Sequence, residues 1–197
     1  METEIEAKFP HVDPEILRAR LNELGAKLVH PEVQMCRHVF DYQDKRLEKI
    51  GGWVRIRQEN DKVTMSYKQL NDRTLHGTKE ITIIVDDYDK AHDFLTSIGL
   101  VSHAYQETTR ETWLYKDVEV TIDTWPWIPT FMELEGPSEE LVREVASDLN
   151  FDWDEAMHGS VETVYQMHYD FTEIEIDNWA EIKFCEPPEW LLAKKKN

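Results

Sequence analysis

The segment Glu4-Ile5-Glu6-Ala7-Lys8 constrains the rest of the chain most, because the two-residue period of a strand sends Glu4, Glu6 and Lys8 to one face and Ile5, Ala7 and Phe9 to the other. Glu4 and Glu6 would then sit about 7 Å apart on one side. Two carboxylates so placed repel each other unless a cation lies between them. The same division recurs along the sequence. Val54 and Ile56 alternate with Arg55 and Arg57, and Val63, Met65 and Tyr67 alternate with Thr64, Ser66 and Lys68. Ile81, Ile83 and Val85 oppose Glu80, Thr82 and Ile84, while Val118, Val120 and Ile122 oppose Glu119, Thr121 and Asp123. Met132 and Leu134 oppose Glu133 and Glu135, and Arg110 falls in a further strand from Thr109 to Tyr115.

Amphipathic helices separate these strands. Asp13-Pro14-Glu15 reads as an N-cap, a proline at the first helical position and an acid at the positive helix end, and Leu17, Leu21 and Leu24 mark one face before Gly25. A strand is expected from Met35 to Tyr42, then a polar loop ending in the turn signal Gly51-Gly52. Asp86-Asp87 opens a second helix bearing Ala91, Phe94, Leu95 and Ile98 and ending at Gly99. A third starts at Pro137-Ser138-Glu139-Glu140 and a fourth near Ser160. The endings Leu24-Gly25 and Ile98-Gly99, each followed by paired strands, suggest two β-α-β-β halves about a pseudo-twofold axis.

Helices of this kind need an apolar surface to rest on, and the apolar strand faces supply one. An α+β fold follows: a closed antiparallel β-barrel with helices packed outside and the charged faces turned into its lumen. That arrangement gathers Glu4, Glu6, Lys8, Arg55, Arg57, Lys68, Glu80, Arg110, Asp123, Glu133 and Glu135 in one tunnel. Poorly paired buried ions cost several kcal/mol each, so such a lumen points to a ligand that is both metallic and anionic. The carboxylates of Glu4, Glu6, Glu133 and Glu135 suit Mg²⁺ or Mn²⁺, hard cations that prefer oxygen. Lys8, Arg55, Arg57, Lys68 and Arg110 suit phosphate oxygens. A polyphosphate chain uses both sets, whereas internal salt bridging between them is the alternative.

The 197 residues suffice for one sizeable core, and 41% apolar content argues for a folded chain. A formal charge of −18 opposes nucleic acid and anionic membranes as partners. Cys36 and Cys185 lack C-x-x-C spacing, no apolar run reaches membrane-spanning length and no signal peptide is visible, so a cytoplasmic location is the expectation. The eight histidines show no H-E-x-x-H spacing, and G-x-S-x-G, P-loop and dinucleotide fingerprints are absent. Trp125 and Trp127 are read as packing within a rigid loop, with stacking on a base or thiazole as the other use.

The ordered set Glu4-x-Glu6-x-Lys8, Arg55-x-Arg57, Lys68, Glu80, Arg110, Asp123 and Glu133-x-Glu135 resembles the CYTH domains, or triphosphate tunnel metalloenzymes, over Glu4 to about Tyr165. The resemblance implies an eight-stranded antiparallel tunnel. It also implies that Glu4, Glu6, Glu133 and Glu135, with Asp123, bind metal, and that Lys8, Arg55, Arg57, Lys68 and Arg110 clamp a triphosphate. Glu80 stays open between touching the ligand and orienting an arginine. The sequence departs from the family in lacking a lysine just before Tyr165, where Val161-Glu162-Thr163-Val164 stands. Residues 1–170 are expected to form the tunnel domain, and 171–197 an extension: an added strand or lid, on the alternation Glu173-Ile174-Glu175-Ile176-Asp177, then a solvated lysine tail.

The function implied is metal-dependent hydrolysis of a triphosphate, either inorganic triphosphate or an organic one such as thiamine triphosphate. Glu4, Glu6 and Lys8 would be central to catalysis. A class IV adenylyl cyclase and a non-catalytic polyphosphate-binding module are the alternatives, and a homodimer is left open.

Overall fold

In the computed structural model, which describes residues 1–196, the amino-terminal strand is broken in two: β1 (Glu2–Thr3) and β2 (Glu6–Phe9). Asp13 then caps α1 (Pro14–Glu23) by accepting the Glu15 and Ile16 amides. The first half continues with β3 (Lys27–Tyr42), β4 (Gly52–Glu59) and β5 (Lys62–Leu70). The second half holds β6 (Thr78–Val85), α2 (Tyr88–Ser97) capped by Asp87, β7 (Leu100–Tyr115), β8 (Val118–Thr124) and β9 (Phe131–Glu135). After α3 (Glu139–Asp148), capped by Ser138, come α4 (Glu162–His168), α5 (Glu173–Asp177), β10 (Glu181–Ile182) and α6 (Glu189–Leu192).

The sheet runs β1-β6-β5-β4-β3-β7-β8-β9-β2, antiparallel throughout, with β10 added parallel to β7. Exchanging the two halves leaves this order unchanged about the central β3–β7 pair, which is the pseudo-twofold relation expected from the helix-strand echo. The expected closed eight-stranded barrel is met in part, as a curled sheet with helices outside. Its end strands, β1 and β2, are successive pieces of one segment and share no ladder. The segment breaks because it changes partner: Glu4 N donates to Thr78 O beside β6, whereas Ile5 O accepts from Gly136 N beyond β9.

Apolar strand faces look outward, as expected. Leu17 and Leu21 of α1 and Val142, Val145 and Ala146 of α3 pack on Ala7, Phe9, Val118, Val120, Ile122, Met132 and Leu134. On the opposite side Ala91 and Leu95 of α2 cover Phe40, Ile56 and Val63. At about 25 cal/mol per Å² of apolar area, these two layers hold the sheet in its curl and leave the polar faces inside.

The carboxyl-terminal segment differs from the strand suggested by its alternation. Thr172 and Glu175 form a reciprocal capping box, and Glu173–Asp177 is helical. The added strand is β10, four residues later. Ile176, Ile182 and Leu191 are buried with Trp125, Phe131, Val164 and Tyr165, so this segment shares a core with the Trp125–Ile128 loop. Lys194 to Lys196 are tied through their backbones, with Asp170 N bonded to Lys194 O and Lys196 N to His168 O. Asn197, the end of the expected extension, lies outside the described residues. No helix among the described residues is long and apolar enough to cross a membrane.

Candidate active site

The curl encloses a cavity of about 720 Å³ lined from β2 by Glu6 and Lys8, from β4 by Arg55 and Arg57, from β5 by Lys68, from β6 by Glu80, from β7 by Arg110 and from β9 by Glu133 and Glu135, with Glu4 at the strand break. All the expected site residues except Asp123 therefore line this one cavity. Asp123 is fully buried behind that lining. Arg110 donates to its two oxygens at 2.7 and 2.9 Å, and Thr121 Oγ1 donates at 2.6 Å. Both Asp123 oxygens are thus engaged, and the side chain that it presents to the cavity is Arg110.

The acids and bases interleave. Lys8 Nζ lies 3.1 Å from Glu6 Oε1 and 3.7 Å from Glu133 Oε1, and Arg110 Nη2 lies 3.3 Å from Glu133 Oε2. Lys68 Nζ reaches Glu4 Oε1 at 2.9 Å and Glu80 Oε2 at 3.1 Å, and Glu80 Oε1 accepts from Arg55 Nη2 at 3.3 Å. Glu80 orients Lys68 and Arg55 in this arrangement.

Loss of hydration pushes Glu4 up to about 8 and Glu6 up to about 7, against the pull of Lys68 and Lys8 respectively. Burial also raises Glu80 and Glu133. For Glu80 this is outweighed by a hydrogen bond with Glu4 and the charge of Lys68, and for Glu133 by Lys8 and Arg110, so both end below the usual carboxylate range. In each pair, Glu4 with Glu80 and Glu6 with Glu133, burial pushes the first carboxyl toward its protonated form while the second is held ionised.

The arginines are in the opposite condition. Arg37 is buried and lines the same cavity, directly across the β3–β4 ladder from Arg57. Among the described residues its one hydrogen bond to a side chain is Nη2 to Thr108 Oγ1 at 2.6 Å, and its guanidinium lies 4.7 Å from the Trp125 ring centre. Burial first, then Arg55 and Arg57, pulls its pKa far down. Arg57 is pushed down to about 10, by burial and then by Arg55. The Nε atoms of Arg37, Arg55 and Arg57 are all buried, with no hydrogen-bond partner among the described residues. Guanidinium stays protonated in proteins, so these are three cationic donors of a kind that suits an anion with several oxygens.

Carboxylates also exceed their partners in one place. Glu6 lies across from Glu135, and Glu135 across from Glu119, so three acids form a row over β2, β9 and β8. Among the described residues Glu119 and Glu135 make no ion pair. Like charges directly opposite are destabilising, and an oxygen-preferring divalent cation relieves them. The donor set fits Mg²⁺ or Mn²⁺ in kind, although no three such side chains among the described residues already converge on a single point.

Arg37 and Glu119 are among the lining residues that the sequence reading did not assign to the site. Arg37 lies in the anticipated Met35–Tyr42 strand, where its alternation with the outward Phe40 was a usable signal. Glu119 was placed on the polar face, and only the register with Glu135 shows its value. At one end of the cavity Glu162, Glu173, Ile174 and Asp177 bring α4 and α5 into the lining. Glu173 pairs with Arg73, and Asn178 accepts from Lys45.

A model of the CYTH domain matches residues 2–178. No curated protein sequence matches the chain. Among solved structures, a putative adenylate cyclase from Vibrio parahaemolyticus superposes with a TM-score of 0.73 at 12% identity, covering 84% of this chain and 98% of that one. The PH1012 protein of Pyrococcus horikoshii OT3 gives 0.68 at 18% identity, covering 82% and 98%. A putative adenylyl cyclase from Hippeastrum, described as having a dominant triphosphatase activity, gives 0.59 at 13% identity, covering 93% and 98%. At these identities the likeness is one of fold.

Proposed function

The chain belongs to the CYTH domain family, and we propose that it hydrolyses a triphosphate, inorganic or organic, with the help of Mg²⁺ or Mn²⁺ bound in the cavity. The observation that carries this reading is the pairing, in one enclosure, of three arginine Nε donors, unpartnered among the described residues, with an under-compensated row of carboxylates. A phosphate chain satisfies the first and its attendant cation the second.

Glu4, Glu6, Glu133 and Glu135 would hold the cation. When bound, it offsets charge on the phosphate oxygens and lowers the pKa of an attacking water. The protein's own groups do the positioning. Arg110, fixed by Asp123, and Lys8, held between Glu6 and Glu133, present charge from one wall. Arg37, Arg55, Arg57 and Lys68 present it from the other. Water attacks a terminal phosphorus, the bridging P–O bond breaks, and charge growing on the departing oxygen is stabilised by the clamp already in place. Two lines support an enclosing tunnel: the curl of the sheet, and an amino-terminal segment that reaches both of its ends.

A second reading, a class IV adenylyl cyclase, is favoured by the space. The cavity lies within the roughly 300–1,000 Å³ of pockets that take drug-sized ligands, exceeds what a bare triphosphate needs, and includes Trp53 and Phe131 in its lining. An organic triphosphate substrate for hydrolysis fits the same space.

The test is a product assay with Mg²⁺ or Mn²⁺ and, separately, tripolyphosphate, thiamine triphosphate and ATP. Orthophosphate without cyclic AMP supports hydrolysis. Cyclic AMP with stoichiometric pyrophosphate replaces it by the cyclase. Tight tripolyphosphate binding with no product from any substrate reduces the protein to a binding module.

A further inference from the structure

One stretch of the charged cavity has a lining of a different character. In β7, Ala104 and Gln106 line the cavity, whereas Tyr105 lies on the outer face with its ring 5.1 Å from that of His38. Strict alternation would send His103 outward as well. The ladder with β3 slips at this point: Val39 faces Ala104 and Phe40 faces Ser102, so His103 is the extra residue between them. The bulge turns His103 into the lining beside Ala104 and turns Ser102 out, where its Oγ lies 2.8 Å from His38 Nδ1.

Trp53 of β4 lines the cavity on the other side of β3. Two strand spacings, about 10 Å, separate β4 from β7. Val39, opposite Arg55 on one side and Ala104 on the other, lies in the lining between them. Trp53 stands opposite Lys68 in the β4–β5 ladder and two residues from Arg55 on the same strand, so it adjoins groups suited to holding phosphate.

The charges around His103 are already committed. Asp41 accepts from the Leu47 and Glu48 amides at 3.1 and 2.8 Å, and Glu48 Oε2 holds Lys45 Nζ at 2.8 Å. The indoles of Trp113 and Trp127 donate to Glu111 and to the Cys185 carbonyl. Among the described residues, by contrast, neither Trp53 Nε1 nor the His103 ring bonds another side chain. Burial, and then Lys45, lowers the pKa of His103. A neutral ring donates at one nitrogen and accepts at the other.

We propose that His103 and Trp53 recognise the group attached to the triphosphate, an aromatic ring with nitrogen or amino groups along its edge. Trp53 stacks on the ring, His103 hydrogen-bonds to its edge, and Val39 forms the floor between them. This rests on the triphosphate reading above and makes the substrate organic. The bulge is then a specificity device, because a regular β7 would aim His103 away from the cavity.

Calorimetric affinities for tripolyphosphate, thiamine triphosphate and ATP, each with Mg²⁺, test this in wild type, His103→Leu and Trp53→Leu. The quantity that decides is preference, the affinity for an organic ligand relative to tripolyphosphate. Each substitution should lower the preference for at least one of the two organic ligands roughly tenfold, and the ligand affected identifies the ring. A wild type that binds tripolyphosphate and neither organic ligand overturns the assignment and leaves the triphosphate reading intact. So do preferences that stay put in both variants, or affinities for all three ligands that fall in step in folded protein. Absence of tripolyphosphate binding by the wild type would defeat both.

Discussion

Arg110 and Asp123 form a two-pronged ion pair, at 2.7 and 2.9 Å, in which the carboxylate is wholly buried and the guanidinium faces the cavity. Under the proposed function, Asp123 would act on a cavity ligand through Arg110. Asp123→Asn should cost about 3 kcal/mol of stability, the scale for weakening a buried pair. It should also raise KM for tripolyphosphate while leaving Mg²⁺ affinity without substrate unchanged. Urea melts, kinetics and a metal titration together decide this, and a large loss of metal affinity would restore Asp123 as a ligand.

Arg37 is buried, and among the described residues it pairs with no carboxylate. Arg37→Met keeps most of the volume and removes the charge. The ligand-free protein should become more stable by about 1–2 kcal/mol, while tripolyphosphate binding weakens at least about tenfold. Melting temperature and calorimetric affinity should move in opposite directions. Loss of both would mean that Arg37 is structural.

The displaced carboxyl pKa values give the metal-free protein a defined pH response. Glu4 and Glu6 have folded pKa values of about 8 and about 7, above the unfolded value of 4.5. Their contribution is complete below about 4.5 and is lost as pH rises through 7 and 8. Glu80 and Glu133 are held low, so their contribution is complete above about 4.5 and is lost as pH falls. Melting temperature should therefore decline from pH 5 to pH 8.5 without metal. Mg²⁺ binding should strengthen over the same interval, because the bound cation needs ionised carboxylates. Glu6→Gln should flatten the decline and gain about 2 kcal/mol at the alkaline end. A metal-free profile that rises toward pH 8.5 contradicts the assignment.

Leu191 is fully buried in the cluster containing Tyr165 and Trp125, although it lies beyond the stretch that the family model matches. Leu191→Ala should cost about 2–5 kcal/mol, measurable by denaturant unfolding. A surface extension would lose almost nothing on the same change.

The legible part of this molecule was whatever follows period two on a half-buried strand. Glu4, Glu6, Lys8, Arg55, Arg57, Lys68, Glu80, Glu133 and Glu135 reach one cavity because outward helices leave their faces no other direction. The caps at Asp13, Asp87 and Ser138 were equally readable. Three things were not. Asp123 has the right phase for the lumen, but Arg110 covers it, a contact made across strands. Period two also misled at Glu173–Asp177, where the Thr172–Glu175 capping box favours helix over strand. The break at Glu4 to Ile5 arises because the segment changes backbone partner from the β6 end of the sheet to the β9 end, which no local pattern encodes.

The central claim is that the carboxylate and arginine halves of the cavity act on one phosphate chain. Its most direct test is the initial rate of orthophosphate release from tripolyphosphate in Mg²⁺, comparing wild type, Glu6→Gln and Arg37→Met in folded protein. Metal-dependent release by the wild type, lost in Glu6→Gln and shifted to high KM in Arg37→Met, is expected. Undiminished release by both variants would place the chemistry elsewhere.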